Sequence, residues 1–291
     1  MTILLTGATG FLGSYLLKAF LTNSHKVIAL KRSTSDTYRI DDIKGQIVFY
    51  DIDKVELSEV FKNEKIDIVI NTVTDYGRKN KKIASMVETN LNFGLKLLEE
   101  SVEAKVKSFI NTDTLLERDI NPYALSKSQL VDWMKFISKT EDIQMINIKI
   151  EHMYGLLDDE NKFIYWLINQ LKKDVEEINL TSGIQKRDFI YIEDVVSAYV
   201  CIINNLEFLS GYEEFELGSG NSIEVKKFIE IIYRELSKKQ KFTTKLNFGA
   251  ISYRENENMN MKTNVKKLEQ LGWSGKISVE DGIKKIVEEE N

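Results

Sequence analysis

Tyr123 and Lys127, in the stretch Tyr123-Ala124-Leu125-Ser126-Lys127, are the residues whose types and spacing point most directly to chemistry. On a helix, residues four apart lie on one face. A tyrosine hydroxyl, with a reference pKa of about 10, is a poor general acid–base group at neutral pH. A nearby ammonium stabilises the phenolate and lowers that value. By itself the Tyr-x-x-x-Lys spacing also describes an exposed helical pair, so its meaning depends on what surrounds it.

The second pattern is Thr6-Gly7-Ala8-Thr9-Gly10-Phe11-Leu12-Gly13. Glycines here allow a tight turn and let the backbone approach a pyrophosphate. The N-terminus of the following helix offers free N–H groups and the positive end of its dipole to phosphates. The spacing is G-x-x-G-x-x-G, one residue longer between the first two glycines than the common dinucleotide fingerprint. About 20 residues on, where an Asp or Glu would bind the ribose 2′-OH of NAD, the chain has Leu30-Lys31-Arg32-Ser33. A basic pair suits a 2′-phosphate, so NADP(H) is the expected cofactor, with NAD(H) as the other possibility.

Alternating strands and helices must position these residues. Short β-branched runs at 3–6, 26–30, 46–50, 66–71, 108–111 and 144–150 read as strands, several apolar almost throughout, as in strands covered on both faces. Helical patterns lie between them at 11–21, 88–101 and 123–139, the last following the single proline, Pro122. This order predicts an α/β fold with a Rossmann-like, doubly wound parallel sheet. The second half is less regular, with helices expected at 163–172, 195–204, 225–238 and 264–271 and strands at 177–181 and 214–217. It reads as a smaller mixed α/β domain.

Composition narrows the function classes. The chain has 291 residues, 43% hydrophobic and 29% charged, with a formal net charge of −5. A mildly acidic chain lacks the basic footprint of a nucleic-acid binder. One cysteine and two histidines give no disulfide framework and no metal site. No signal peptide is read at the start, and no apolar run is long enough to span a bilayer. A cytoplasmic location is expected.

Taken together, these motifs resemble the extended short-chain dehydrogenase/reductases, the nucleotide-sugar epimerase/dehydratase/reductase family. The likeness runs nearly end to end. Thr6–Gly13 is similar to the family's cofactor loop, so Gly7, Thr9, Gly10, Phe11, Leu12 and Gly13 are expected to meet the cofactor, as are Lys31 and Arg32. Tyr50-Asp51-Ile52 resembles the adenine-contacting segment, which adds Asp51 and Ile52. Asn71-Thr72-Val73 stands where the family's fourth strand runs along the cofactor, which adds Thr72 and Val73. Asn90 matches an asparagine behind the active site and is implied to be a cofactor contact, and Lys127 is implied to hold the nicotinamide ribose. Arg187-Asp188-Phe189-Ile190-Tyr191-Ile192, Phe215-Glu216-Leu217-Gly218-Ser219-Gly220 and Leu271-Gly272-Trp273 resemble the C-terminal signatures.

The resemblance implies a cofactor-binding domain of 1–155 plus about 187–221, and a nucleotide-sugar-binding domain of about 156–186 plus 222–291. It implies a catalytic Ser or Thr after the fifth strand, Thr114 by register with Thr112 as fallback, beside Tyr123 and Lys127. Arg187 and Arg254 would hold the substrate diphosphate, with Tyr76, Arg78 and Lys162 as further substrate contacts. Members commonly form homodimers. Thr114 stands where dehydratases carry a glutamate base, which disfavours elimination. Closer likeness in Asn111-Thr112-Asp113-Thr114, Glu151-His152-Met153-Tyr154-Gly155 and Gln185-Lys186-Arg187-Asp188 is to 4-ketoreductases of the CDP-abequose/CDP-paratose synthase type. The implied reaction is NADPH-dependent reduction of the C4 ketone of a nucleotide-activated 4-keto-6-deoxyhexose in deoxysugar biosynthesis. The alternatives are a 4-epimerase with tightly held NAD and, more remotely, a non-catalytic NADP-binding sensor or scaffold.

Overall fold

A computed structural model describes residues 1–78, 82–255 and 257–289. Its strands are β1 (Thr2–Thr6), β2 (Lys26–Lys31), β3 (Val48–Asp51), β4 (Ile68–Asn71), β5 (Ser108–Thr114), β6 (Gln144–Ile150), β7 (His152–Tyr154), β8 (Glu177–Leu180), β9 (Lys186–Tyr191), β10 (Tyr212–Leu217), β11 (Ser222–Glu224) and β12 (Lys245–Phe248). Its helices are α1 (Phe11–Thr22), α2 (Leu57–Asn63), α3 (Ile83–Val87), α4 (Phe93–Glu103), α5 (Pro122–Ile137), α6 (Phe163–Lys172), α7 (Ile192–Asn204), α8 (Val225–Ser237), α9 (Lys266–Gln270) and α10 (Val279–Glu289). Between α3 and α4 the segment Glu88–Asn92 is a π-helical turn.

The chain forms two compact units. The first comprises Met1–Ile150, Val196–Glu216 and Gln270–Gly272. Its seven-stranded sheet has the order β10-β6-β5-β4-β1-β2-β3, and β1 through β6 pair in parallel. The strand order reverses between β1 and β4, so the crevice beyond their carboxyl ends is the place where ligands bind in such sheets. Ile3, Leu4, Leu5, Ile68, Val69 and Ile70 are buried, as the unbroken apolar runs of a sheet covered on both faces require. The helices cover it with Leu16, Leu17, Leu97, Leu98, Leu130 and Met134, all fully buried.

The second unit comprises Glu151–Val195, Leu217–Glu269 and Trp273–Asn291. A three-stranded sheet, β11-β9-β7, and a two-stranded ribbon, β12-β8, lie in it. Tyr154, Phe189 and Phe228 pack ring against ring at its core. This moves the expected domain boundary. Residues 151–155, 187–195 and 217–221 belong to the second unit, because β9 pairs with β7 and β11 and not with the large sheet. The buried Asp188 carboxylate accepts from Ser219 N, Ser219 Oγ and Gly220 N at 2.6–2.9 Å, which fixes the loop after β10 within that unit. No helix of the described residues is long and apolar enough to cross a membrane.

Candidate active site

Helix α5 begins where the sequence provides a start signal. Asn121 caps it by accepting from Ala124 N at 2.9 Å, and Pro122 takes the first turn. Tyr123 therefore stands at the helix entrance with Lys127 one turn on. Tyr123 is half-buried and Lys127 is 2% exposed. Burial raises the Tyr123 pKa well above its ordinary value, with Tyr76 and Asp113 adding to the rise; the Thr74 and Thr114 hydroxyls beside it pull the other way. The net direction is upward, so the depression expected from a nearby ammonium does not prevail over burial. Burial instead lowers the Lys127 pKa, against the opposing charge of Asp113.

The expected hydroxyl residues lie on β5 itself, which runs on to Thr114, three residues past the expected end. Thr114 faces Tyr123 and also accepts from Leu116 N at 3.2 Å. The Thr112 hydroxyl lies 2.7 Å from the Tyr199 hydroxyl. Alternation along the strand would not separate them; it is the Tyr199 partner on α7 that occupies Thr112.

A loop after β4 closes against α5. The Tyr76 ring lies 5.1 Å from that of Tyr123, and the Arg78 guanidinium lies over Tyr76 at 5.1 Å. Asn90, on the π turn, is 1% exposed. Its Oδ1 accepts from Asp75 N at 2.7 Å, and its Nδ2 donates to Asp75 O at 2.9 Å and to Ser126 Oγ at 3.0 Å. Asn90 was expected among the cofactor contacts. Its amide is instead committed to protein partners, and it ties the 74–75 loop to the catalytic helix. Thr74 was not expected from the sequence; a hydroxyl two residues beyond Thr72 carried no signal of its own.

The glycine turn fits a dinucleotide. Gly7 has φ +66°, and a Cβ there would stand 2.7 Å from Thr72 Oγ1 and 3.1 Å from Val73 N. Gly10 N donates to Gly7 O at 2.9 Å. A Cβ on Gly13 would strike the Gly7 carbonyl. Helix α1 then starts at Phe11 with no side-chain cap and no acidic residue in its first turn, which suits a helix N-terminus that meets an anion. Phe11 and Leu12 are buried behind the turn. Thr72 Oγ1 donates to Thr6 O at 2.7 Å, holding the ends of β1 and β4 side by side.

At the end of β2 the picture differs from expectation. Lys31 forms a close ion pair with Asp51, so two expected cofactor contacts neutralise each other. Ile52 N also bonds to Lys31 O at 2.8 Å. Arg32 is exposed. Arg39, which sequence reasoning missed, is buried, and its Nη1 donates to Thr9 O in the glycine turn at 3.5 Å. In Thr37-Tyr38-Arg39-Ile40-Asp41 nothing local sets it apart from a surface arginine.

The remaining expected residues lie in the second unit. Arg187 is buried in a close ion pair with Glu257, and its Nη1 donates to Asn258 O at 2.6 Å. Arg254 is exposed on the same turn, which closes through Glu257 N and Arg254 O at 3.2 Å. Lys162 pairs with the buried Asp158 at 2.6 Å, which commits its charge. His152, expected as a core or pocket-wall residue, is exposed, with Nδ1 2.9 Å from Glu151 Oε1.

Comparison with known proteins agrees with this arrangement. The NAD dependent epimerase/dehydratase family matches residues 3–218. A CDP-abequose synthase from Salmonella muenchen is 35% identical over 98% of this chain and 96% of its own length. One from Salmonella typhimurium is 29% identical over 98% and 97%. Among solved structures, a UDP-glucose 4-epimerase with UDP-glucose from Thermotoga maritima superposes with a TM-score of 0.84 over 99% of this chain and 98% of that one, at 21% identity. A parallel sheet with a dinucleotide turn, a Tyr–Lys helix and relatives matched along the whole chain lead to one assignment: this chain belongs to the NAD dependent epimerase/dehydratase family, whose members are NAD(P)-dependent enzymes.

Proposed function

We propose that this protein reduces the C4 ketone of a nucleotide-activated 4-keto-6-deoxyhexose, a CDP-sugar, with NADPH. The observation that carries the reading is the Tyr123 hydroxyl placed beside those of Thr114 and Thr74 in a buried setting that favours its protonated form. A phenol kept protonated is a donor for a growing alkoxide. An epimerase must begin by removing a proton from the sugar, which needs the opposite state. Thr114 in place of an acidic residue leaves no second base for elimination. The full-length likeness to CDP-abequose synthases favours CDP as the nucleotide.

When bound, the reduced nicotinamide supplies the hydride. The Thr114 hydroxyl donates to the ketone oxygen, and Tyr123 gives its proton to the same oxygen as charge develops there. Lys127, buried beneath them, contributes a positive charge that stabilises the Tyr123 phenolate left behind. Arg187 and Arg254 are the cations for the diphosphate, Arg187 by exchanging its Glu257 partner for phosphate oxygens. Tyr76 and Arg78 are further sugar contacts beside Tyr123. Leu125, Trp133 and Phe136 remain exposed on α5, which supports pairing of two copies through this helix.

The test is to mix the protein with NADPH and CDP-4-keto-6-deoxyglucose and follow the loss of reduced-nicotinamide absorbance. Stoichiometric oxidation is expected. A protein that isolates with NAD and interconverts C4 epimers without consuming NADPH would replace this reading with the epimerase. Preference for NADPH rests on Arg32 and Arg39 more than on Lys31, whose charge is matched by Asp51. Arg32→Ala is expected to raise KM for NADPH about tenfold, the worth of one charge-assisted bond to a phosphate, with KM for NADH unchanged, whereas Arg39→Ala, which also loses the bond to Thr9 O, is expected to raise KM for both.

A further inference from the structure

The loop after β2 already holds a carboxylate on the donors that an anion there would need. Ser33 stands 20 residues past Gly13, the register at which a dinucleotide fold meets the ribose 2′ group of its cofactor. Its backbone N–H donates to Asp53 Oδ1 at 2.7 Å, and its hydroxyl donates to Asp53 Oδ2 in a second, close hydrogen bond. The turn is closed by Arg32 N to Ser35 Oγ at 3.1 Å and by Ser35 N to Arg32 O at 3.0 Å, which fixes Arg32 and Ser33 side by side. Asp53 lies just beyond β3, whose register with β2 pairs Asp51 with Lys31. Strand pairing therefore brings two acidic residues, Asp51 and Asp53, against a strand end that is basic in the sequence.

The two carboxylates differ in what they face. Asp51 is matched twice, by Lys31 in a close ion pair and by Lys54 at 3.5 Å. Asp53 is exposed and has no ion-pair partner among the described residues. The Ser33 hydroxyl and N–H are what hold it, and they keep its carboxyl below the usual carboxylate range. Arg32 is exposed, and its guanidinium is likewise without an ion-pair partner among the described residues. One unmatched cation and one unmatched anion thus flank the position that register gives to the ribose. They favour opposite cofactors. A 2′-phosphate is drawn to the Arg32 guanidinium. It also needs the Ser33 donors, which a carboxylate already occupies, and it meets that carboxylate's charge. A 2′-hydroxyl is itself a donor. It can donate to an Asp53 oxygen without displacing Ser33, since a carboxylate offers about four lone-pair sites and Ser33 takes only two of them.

We propose that Asp53 is a specificity-determining residue for the cofactor, a counter-anion supplied from the end of β3 that opposes the 2′-phosphate and keeps NADH usable alongside NADPH. In NAD-binding folds the acid that meets the ribose stands at the end of the second strand. Here the neighbouring strand supplies it, so the basic pair Lys31-Arg32 read alone overstates the preference for NADPH. The inference deepens the NADPH reading and rests on it only for the part played by Arg32. It does not depend on which sugar is reduced.

The test is calorimetric titration of the full chain with NADPH and NADH, and with adenosine 2′,5′-bisphosphate and AMP, a pair that differs only by the 2′-phosphate. In Asp53→Asn the affinity for NADPH relative to NADH is expected to rise about tenfold, and the ratio for the two fragments to rise with it. Asp53→Ala frees both Ser33 donors and is expected to move the ratios at least as far. Asp53→Glu keeps the charge and is expected to stay closer to the parent than to Asp53→Asn. Ratios unmoved in Asp53→Asn and Asp53→Ala overturn the proposal. So does an equal loss of affinity for both cofactors, the result of a carboxylate that only shapes the loop. Binding is read without a sugar, so a protein that reduces no nucleotide sugar still returns an answer, and failure of the ketoreductase reading shows only in turnover.

Discussion

Tyr123→Phe is expected to lose at least about 1,000-fold in kcat while binding NADPH as the parent protein does. The substitution keeps the ring, and with it the contact to Tyr76 at 5.1 Å. It removes only the hydroxyl that lies between Thr74 and Thr114. A donor aimed at a developing oxyanion is worth about 3 kcal/mol, and the proton it delivers adds a further factor. The pH profile of the parent follows from the same geometry. Reduction needs the phenol protonated, and burial raises its pKa, so deprotonation of Tyr123 does not limit the rate near neutrality. Burial lowers the pKa of Lys127, so the alkaline fall in rate is expected to report loss of the ammonium. Near-parental turnover in Tyr123→Phe would remove this residue from the chemistry.

Gly13→Val is expected to weaken NADPH binding about 100-fold and to lower Tm. A Cβ at this position meets the Gly7 carbonyl carbon at 2.7 Å and the Ala8 Cα at 2.9 Å. Both are backbone atoms of the turn, so neither can swing aside as a flexible side chain would. Overpacking of this kind costs about 3 kcal/mol, which as a penalty on the bound geometry is about two decades in Kd. Gly45 supplies the comparison, because a Cβ there meets nothing within 4 Å. Gly45→Val is expected to bind NADPH normally, and calorimetric titration of both variants separates a local clash from a general intolerance of added bulk.

The sequence made the glycine turn, the Tyr–Lys helix and the parallel sheet legible because each depends on neighbours in the chain. Helix α6 runs from Phe163 to Lys172 and strand β6 from Gln144 to Ile150, as their periodicity predicts. What it hid depends on partners distant in sequence. Lys31 reads as a free cation until Asp51, 20 residues on, is brought beside it. Arg187 reads the same way until Glu257 appears, 70 residues on. Thr112 and Thr114 are equivalent on paper, and only Tyr199 separates them. Strand β9 reads as a family signature without revealing which sheet it joins. Asn71, Asn111 and Asn147, bonded amide to amide across β4, β5 and β6, lie in separate strands, and no local pattern unites them.

The π turn at Glu88–Asn92 is also a constraint on inheritance. A helix with one residue more than its regular winding can accommodate is sensitive to the length of its gene segment as well as to its letters. Loss of a single codon there would let the turn rewind as ordinary helix, with the flanking segments kept close to their present phase and the side chains of the turn itself moved off the face they now share. Asn90 would then no longer hold both the Asp75 backbone and Ser126. Substitutions on the outer face of this helix are free to accumulate, but in-frame insertions and deletions across it are not. Descendants of this chain should keep the spacing from Tyr76 to Tyr123 more faithfully in the π segment than in the loop that precedes α5.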